Sequence, residues 1–331
     1  MKRLLIAVAA LALLAAGLIA MSLGAAYKGF QDEVFVRIER GASTQQIGRH
    51  LAEAGVIRYP WQFYCERLLN HSAKLQAGEY RFAEAAPVAR VFDRLARGDV
   101  YFFEFTVTEG SNMFDIASAL DRANIMHAAD FLAAAANPAS IRDLAPSAPS
   151  LEGFLFPSTY RLTHSTTASQ LCREMTDQFR KEWRKLSTGT QPNPQAIVTL
   201  ASLVEKETGF AGERKLVAGV FENRLEKGMK LDCDPTVIYA ALLDHRYRNA
   251  IHKSDLASQN PYNTYQHAGL PPGPIANPGA EAIAAALDPA KTDYLYFVAK
   301  ADGSGHQFSA TIAQHDRSVQ AYRKGRKHAA N

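Results

Sequence analysis

Hydrophobic positions follow several rhythms along this chain, and each rhythm marks a different kind of element. Residues 4–26 show none: the run is apolar throughout and carries no charge. A helix over it, rising 1.5 Å per residue, exceeds the ~30 Å hydrocarbon core of a bilayer. From Val36 the pattern alternates, Val36-Arg37-Ile38-Glu39, then passes through Gly41 and Ser43 into Ile47, Leu51, Ala54 and Ile57 at helical spacing. That order predicts a strand, a tight turn and a capped helix. It recurs weakly from Phe105, through Gly110, Ser111 and Asn112, to Ile116, Leu120, Ala123 and Met126. Within the first copy, residues 59–69 predict a second helix and 78–82 a returning strand. A further helix over 87–96 is closed by Gly98.

The stretch 145–150 is rich in Pro and Ser and reads as a boundary. Helices are predicted beyond it over 168–186, from Pro194 to about Glu207, over 213–227 with Gly228 as a stop, and over 281–287. Residues 187–194 read as a loop. Residues 231–278 carry little regular periodicity but many Pro, Gly, Asn and aromatic residues, the marks of a long loop with a defined shape. Residues 294–298 predict a buried strand, paired with 306–309 across a turn at 302–305. The basic stretch after Tyr322 reads as disordered. The fold class is α+β. Its parts are a cytoplasmic end and membrane helix over 1–27, an α+β region with the internal repeat over 28–148, a mixed α+β domain over 149–323 that is the candidate catalytic domain for the helix-borne Glu considered below, and a basic tail over 324–331.

Composition narrows this picture. With 331 residues, 47% hydrophobic, the chain can fill two cores, and a net charge of +4 is no footprint of a nucleic-acid binder. Cys65, Cys172 and Cys233 form no Cys-x-x-Cys pair, and free thiols are the simpler reading over a single disulfide. No His/Cys/carboxylate cluster has the spacing of a metal site, so neither metal nor cofactor is expected. Lys2 and Arg3 precede the apolar run, which places the N-terminus in the cytoplasm and the rest of the chain outside it. Gly24, Ala25 and Ala26 would suit signal cleavage, but the run exceeds the roughly 7–15 apolar residues of a signal core, which favours an uncleaved single-pass anchor.

The helix ending in Glu205-Lys206-Glu207 carries the candidate chemistry. Its apolar stripe is Ile197, Leu200, Ala201, Val204 and Thr208. At 100° per residue Glu207 falls roughly 75° from the centre of that stripe on one side and Glu205 roughly 85° on the other. By that small margin Glu207 is taken as the carboxylate nearer apolar surface, where ionisation is resisted and a proton donor near neutral pH becomes available. The bland alternative is a solvated or ion-paired Glu at a helix edge.

Some of these segments are distinctive together. LEGFLFPSTY, ASLVEKETGF, GVFENRL, LDCDPTVIYA, NPYNTYQHAGLPPGPIANPG and YLYFVAKADGSGHQFS, in that order, resemble the endolytic murein lytic transglycosylases of the MltG type. The strand-helix-helix-strand order with its Gly-x-Ser turn resembles LysM modules, which bind chitin-like and peptidoglycan glycans, with a spacer role as the alternative. The resemblance implies a single-pass inner-membrane protein whose LysM-like and catalytic domains lie in the periplasm. It implies peptidoglycan strands as substrate, peptidoglycan synthases as candidate partners and no nucleic acid. In lytic transglycosylases the acid–base Glu precedes Ser or Thr, Gly and an aromatic residue, and Glu207-Thr208-Gly209-Phe210 fits that pattern. Glu152, Asp234, Thr236, Tyr262, Asn263, Thr264 and Tyr265 are taken as the substrate-binding residues. For Asp234 a helix cap before Pro235 is the structural alternative, and for Glu152 a hydrogen bond within the aromatic turn. Ser158 and the pair Asp232-Cys233 depart from the family's more usual residues, so no role carries over to them. The reaction implied is cleavage between N-acetylmuramic acid and N-acetylglucosamine, leaving 1,6-anhydro ends. A muramidase, with Glu152, Glu205 or Asp234 as second carboxylate, and a silent glycan-binding scaffold are the alternatives.

Overall fold

The computed structural model describes residues 1–187 and 193–329. Helix α1, Lys2–Gly24, is apolar and long enough to cross a membrane. There follow strand β1 (Val34–Ile38), helices α2 (Thr44–Glu53) and α3 (Pro60–Leu69), strand β2 (Gly78–Phe82) and helix α4 (Val88–Arg97). Next come β3 (Phe103–Thr106), α5 (Met113–Arg122), α6 (Ala128–Ala135) and β4 (Thr159–Leu162). The remainder is mostly helical: α7 (Ala168–Leu186), α8 (Pro194–Glu207), α9 (Arg214–Glu226), α10 (Asp234–Leu243), the single turn α11 (Lys253–Leu256) and α12 (Ala280–Leu287). Strands β5 (Tyr296–Ala299) and β6 (His306–Ser309) precede the last helix, α13 (Ile312–Ala329). The architecture is mixed α+β.

The chain forms two compact units, residues 1–103 and 104–331. In the first, β1 and β2 pair antiparallel with Val36 opposite Tyr80. Val36 and Ile38 turn inward while Arg37 stays exposed, as the alternating pattern requires. They meet Ile47, Leu51, Phe63, Tyr80, Val91, Phe92 and Leu95 in one core. Ser43 caps α2 in a capping box with Gln46, and Gly98 ends α4 at φ 70, a left-handed conformation that glycine adopts without a Cβ penalty.

The second unit begins with the recurring pattern. Strand β3 lies beside β4 in a two-stranded sheet, so β3-α5-α6-β4 repeats the strand-helix-helix-strand order of β1-α2-α3-β2. Asn112 caps α5, accepting from the Phe114 and Asp115 N–H groups, each at 2.9 Å. Helix α8 packs against α9, α10 and α12, and β5, β6 and α13 pack together.

The structure departs from the sequence-based expectations in several places. The boundary falls at 103/104 rather than at 145–150, because residues 104–148 are bonded to residues beyond 150. The Val107 N–H donates to the Ser158 carbonyl at 2.9 Å and the Met113 N–H to Glu152 at 2.9 Å. The stretch 231–278 contains α10, whose Thr236, Val237, Tyr239, Ala240 and Ala241 are all buried. A helix enclosed on most sides shows no polar face for periodicity to reveal. Strand β5 is half-buried rather than buried. The basic stretch after Tyr322 continues α13 as far as Ala329 rather than lacking structure. Most of the loop expected at 187–194 lies outside the described residues.

Candidate active site

Glu207 is the last residue of α8. The helix stops there because Thr208 turns extended, with φ −141, and its hydroxyl accepts the Phe210 N–H at 3.1 Å. A carboxylate at the negative end of a helix gains nothing from the macrodipole. The side chain opens into a cleft of about 410 Å³ lined also by Arg224, Asp232, Asp234, Tyr265, Tyr296 and His315, among others. Burial pushes the Glu207 carboxyl above its ordinary range, and the charge of Asp234 pushes the same way, against His306 and Arg224.

Its one direct partner among the described residues is Cys233. The thiol, 1% exposed, donates to Glu207 Oε1 at 3.0 Å. Burial first, then the neighbouring Glu207, holds that thiol well above its usual pKa, so it remains a neutral donor. The loop beneath fixes its position: the Cys233 N–H donates to Thr264 Oγ1 at 3.0 Å, and the Thr236 hydroxyl donates to the Cys233 carbonyl at 2.6 Å. Thr236 and Thr264 share a further hydroxyl bond at 2.9 Å. Asn263, fully buried, ties its own loop together through the carbonyls of Asp255, Leu256 and Ser258.

The seven residues expected to bind substrate therefore separate. Asp234 and Tyr265 line the cleft with Glu207, joined by a 2.7 Å bond from the tyrosine hydroxyl. Thr236, Asn263 and Thr264 shape the floor behind Cys233 and are buried. Tyr262 is 8% exposed and packs its ring 5.1 Å from that of Tyr239. Glu152 is 1% exposed, in the hydrogen-bonded setting that was its structural alternative. It accepts from the Met113 N–H at 2.9 Å and from Asn277 Nδ2 at 2.8 Å.

Glu205, on the other flank of α8, is also enclosed, with its side chain 7% exposed. It accepts the Gly279 N–H at 3.0 Å and lies 3.7 Å from Arg214 Nη2. That flank is covered by α9 and the loop before α12 rather than by the core stripe of α8.

Other parts of the site carried no assignment in the sequence. Arg224 donates to the carbonyls of Leu295 at 2.6 Å and Leu231 at 2.9 Å and lies 5.2 Å from the centre of the Tyr296 ring, joining three segments of the cleft wall. Glu213 accepts the His306 N–H at 2.8 Å and faces His306 Nδ1 at 2.7 Å. Against the upward push of burial, these bonds hold Glu213 below its ordinary pKa. Both residues lie in or beside the distinctive motifs, which was the available signal. His315 had none.

With this geometry in place, comparison with known proteins gives a consistent answer. An endolytic murein transglycosylase of Bacillus subtilis (strain 168) is 31% identical over 314 residues, covering 89% of this chain and 86% of that protein. The protein of the same name from Streptococcus pneumoniae serotype 2 (strain D39) is 30% identical over 319 residues, covering 86% of this chain but 58% of that longer protein. A crystal structure of a YceG-like protein from Listeria monocytogenes superposes with a TM-score of 0.55 at 30% identity, covering 86% of this chain and 98% of that one. The profile of the YceG-like family matches residues 36–321, and the chain belongs to that family.

Proposed function

We propose that this chain is a lytic transglycosylase that cleaves peptidoglycan strands internally, with Glu207 as its acid and then its base. The observation that carries this reading is a single enclosed carboxyl, held above its ordinary pKa at the floor of an open cleft and met by a neutral thiol donor. Protonated Glu207 gives its proton to the glycosidic oxygen as the bond from C1 of N-acetylmuramic acid breaks. The carboxylate so formed takes the proton of the same sugar's C6 hydroxyl, whose oxygen closes on C1. One group serves both steps because they occur in sequence. The tethered hydroxyl competes with water through its high effective concentration. The shared name of the bacillary and pneumococcal relatives supports the same substrate.

Placement supplies the rest. Helix α1 is a single-pass anchor in the inner membrane, with Lys2 and Arg3 on the cytoplasmic side and the folded units in the periplasm. The strand-helix-helix-strand modules are LysM-like glycan contacts. Cleavage within nascent strands ends their elongation beside peptidoglycan synthases.

A muramidase is the second reading, because Asp234 shares the cleft and could orient water in place of the C6 hydroxyl. Product mass separates the two on purified uncrosslinked glycan strands. New ends lighter by one water than reducing ends are expected, whereas reducing ends would make the enzyme a hydrolase. No cleavage would leave a glycan-binding scaffold.

A further inference from the structure

Helix α3 shows solvent a side that no soluble surface requires. Leu68 is 78% exposed, Leu69 71% and Trp61 37%, with Tyr59, 49% exposed, at its N-terminal cap. At 100° per residue, Trp61, Cys65, Leu68 and Leu69 fall within an arc of about 100° that contains no charge. The Tyr59 and Trp61 rings lie stacked, 6.3 Å between centroids. Opposite the arc Phe63 is fully buried, and between the two Gln62 and Glu66 are 5% and 6% exposed. Contiguous exposed apolar surface of this kind marks an interaction site.

The position of that surface says what covers it. Gln62 Nε2 donates to the carbonyl of Ser22 at 2.9 Å and to its hydroxyl at 3.0 Å, and Ser22 lies in the last turn of α1. Leu23 packs against the core of the first unit. The apolar helix therefore runs into the domain without a slack linker, and α3 begins beside the point where α1 would leave the hydrocarbon. The uncharged arc adjoins the Gln62 side, the side that meets α1. Tyr and Trp at such a level place an apolar ring in lipid and a polar edge in water. Arg58, exposed and held 5.0 Å from the Tyr27 ring, stands just before α3 as a cation suited to lipid phosphates.

We propose that α3 lies in the interfacial layer of the bilayer that α1 spans, with Trp61, Leu68 and Leu69 among the lipid headgroups and upper acyl chains. The first unit is then docked on the membrane rather than tethered above it. This rests on the reading of α1 as an anchor. Helices of this kind bind by buried apolar area and need no covalent lipid.

The protein has two tryptophans, and Trp183 is 3% exposed in the second unit, so Trp61 is the reporter. The full-length chain is placed in nanodiscs of phosphatidylethanolamine and phosphatidylglycerol, with and without bromine on the upper acyl chain. Bromine should quench the wild-type emission, and Trp61→Phe, a change at an exposed position, should abolish that quenching. Leu68→Glu with Leu69→Glu should weaken it. Equal wild-type emission in the two lipids, with the protein retained in the disc, overturns the docking and leaves the anchor standing. A blue-shifted Trp61 indifferent to bromine would place a second copy of the chain there, and also overturns it. Failure of the chain to enter the disc overturns the anchor and the docking together.

Discussion

Glu205 and Glu207 stand on one helix with only Lys206 between them, and their surroundings differ in the respect that matters for proton transfer. Glu205 meets a permanent cation, Arg214, and a backbone N–H. Glu207 meets a thiol that stays neutral, and it lines an open cleft. Glu207→Gln keeps the shape and removes the transferable proton, so cleavage should fall by roughly 10²–10⁴-fold. Glu205→Gln removes one of the two carboxylates that meet Arg214, Glu281 being the other, so it should lower the thermal midpoint while largely preserving the rate per folded molecule. Comparable losses of rate in the two folded variants would contradict the assignment. Cys233 tunes the acid. Its S–H bond favours the carboxylate, but more weakly than a hydroxyl would. Cys233→Ser should lower the Glu207 pKa and Cys233→Ala should raise it. Because the acid must be protonated to act, the alkaline limb of the rate profile should move to lower pH in the serine variant and higher pH in the alanine variant. Identical limbs in both would show that the thiol does not act on Glu207.

At the scale of elements, the turn after Leu151 joins parts of the second unit that are distant in sequence. Gly153 has φ +84, and a Cβ there would lie 2.4 Å from Pro274 Cγ and 2.9 Å from Val198 Cγ1. Asn277 Oδ1 accepts the Gly153 and Leu155 N–H groups at 2.8 and 3.0 Å. Gly153→Ala should therefore cost about 1–3 kcal/mol from backbone strain alone, with the Pro274 clash added. Denaturant unfolding followed at Trp183, which stacks on Phe179 in the same core, would show it, and an unchanged midpoint would refute it. The Gly and the Asn were visible in the sequence motifs, but their meeting was not. The same division runs through the fold. Elements with one buried and one wet face, such as β1, α2, α4 and α7, showed their period in the sequence. Helix α10 did not, although Asp234-Pro235 supplied a start signal, because its buried residues surround it. In the site, Glu207, Asp234 and Tyr265 were legible as motif residues. Arg224 and His315 reach the cleft from separate helices, and no local pattern announces that convergence.

Across the second unit as a whole, the buried acid Glu152, which does not line the cleft of Glu207, sets a pH dependence of stability. Burial raises the Glu152 carboxyl to about 7, opposed by the Met113 N–H and the Tyr239 hydroxyl. The unfolded chain releases that proton near the ordinary value of 4.5. Between the two values the folded state holds more protons than the unfolded state, so stability falls as pH rises through this window. The stabilising contribution is fully present below about pH 4.5 and lost by about pH 7. A shift of this size corresponds to something on the order of 3 kcal/mol. Other carboxylates pull the opposite way, since Asp143, paired with Arg180, is held down at about 2. The test is therefore a difference between variants rather than one curve. Glu152→Gln cannot ionise, and its amide cannot match both the Met113 N–H and the Asn277 Nδ2 donors. It should be less stable than wild type at acid pH by about 1–3 kcal/mol. That deficit should shrink as pH rises, because only the wild type then carries a buried charge. Urea midpoints of the two proteins, read at Trp183 across the window, supply the measurement. A deficit that stays constant with pH would mean that Glu152 is already ionised throughout, and that its hydrogen-bonding neighbours Met113, Tyr239 and Asn277 outweigh its burial.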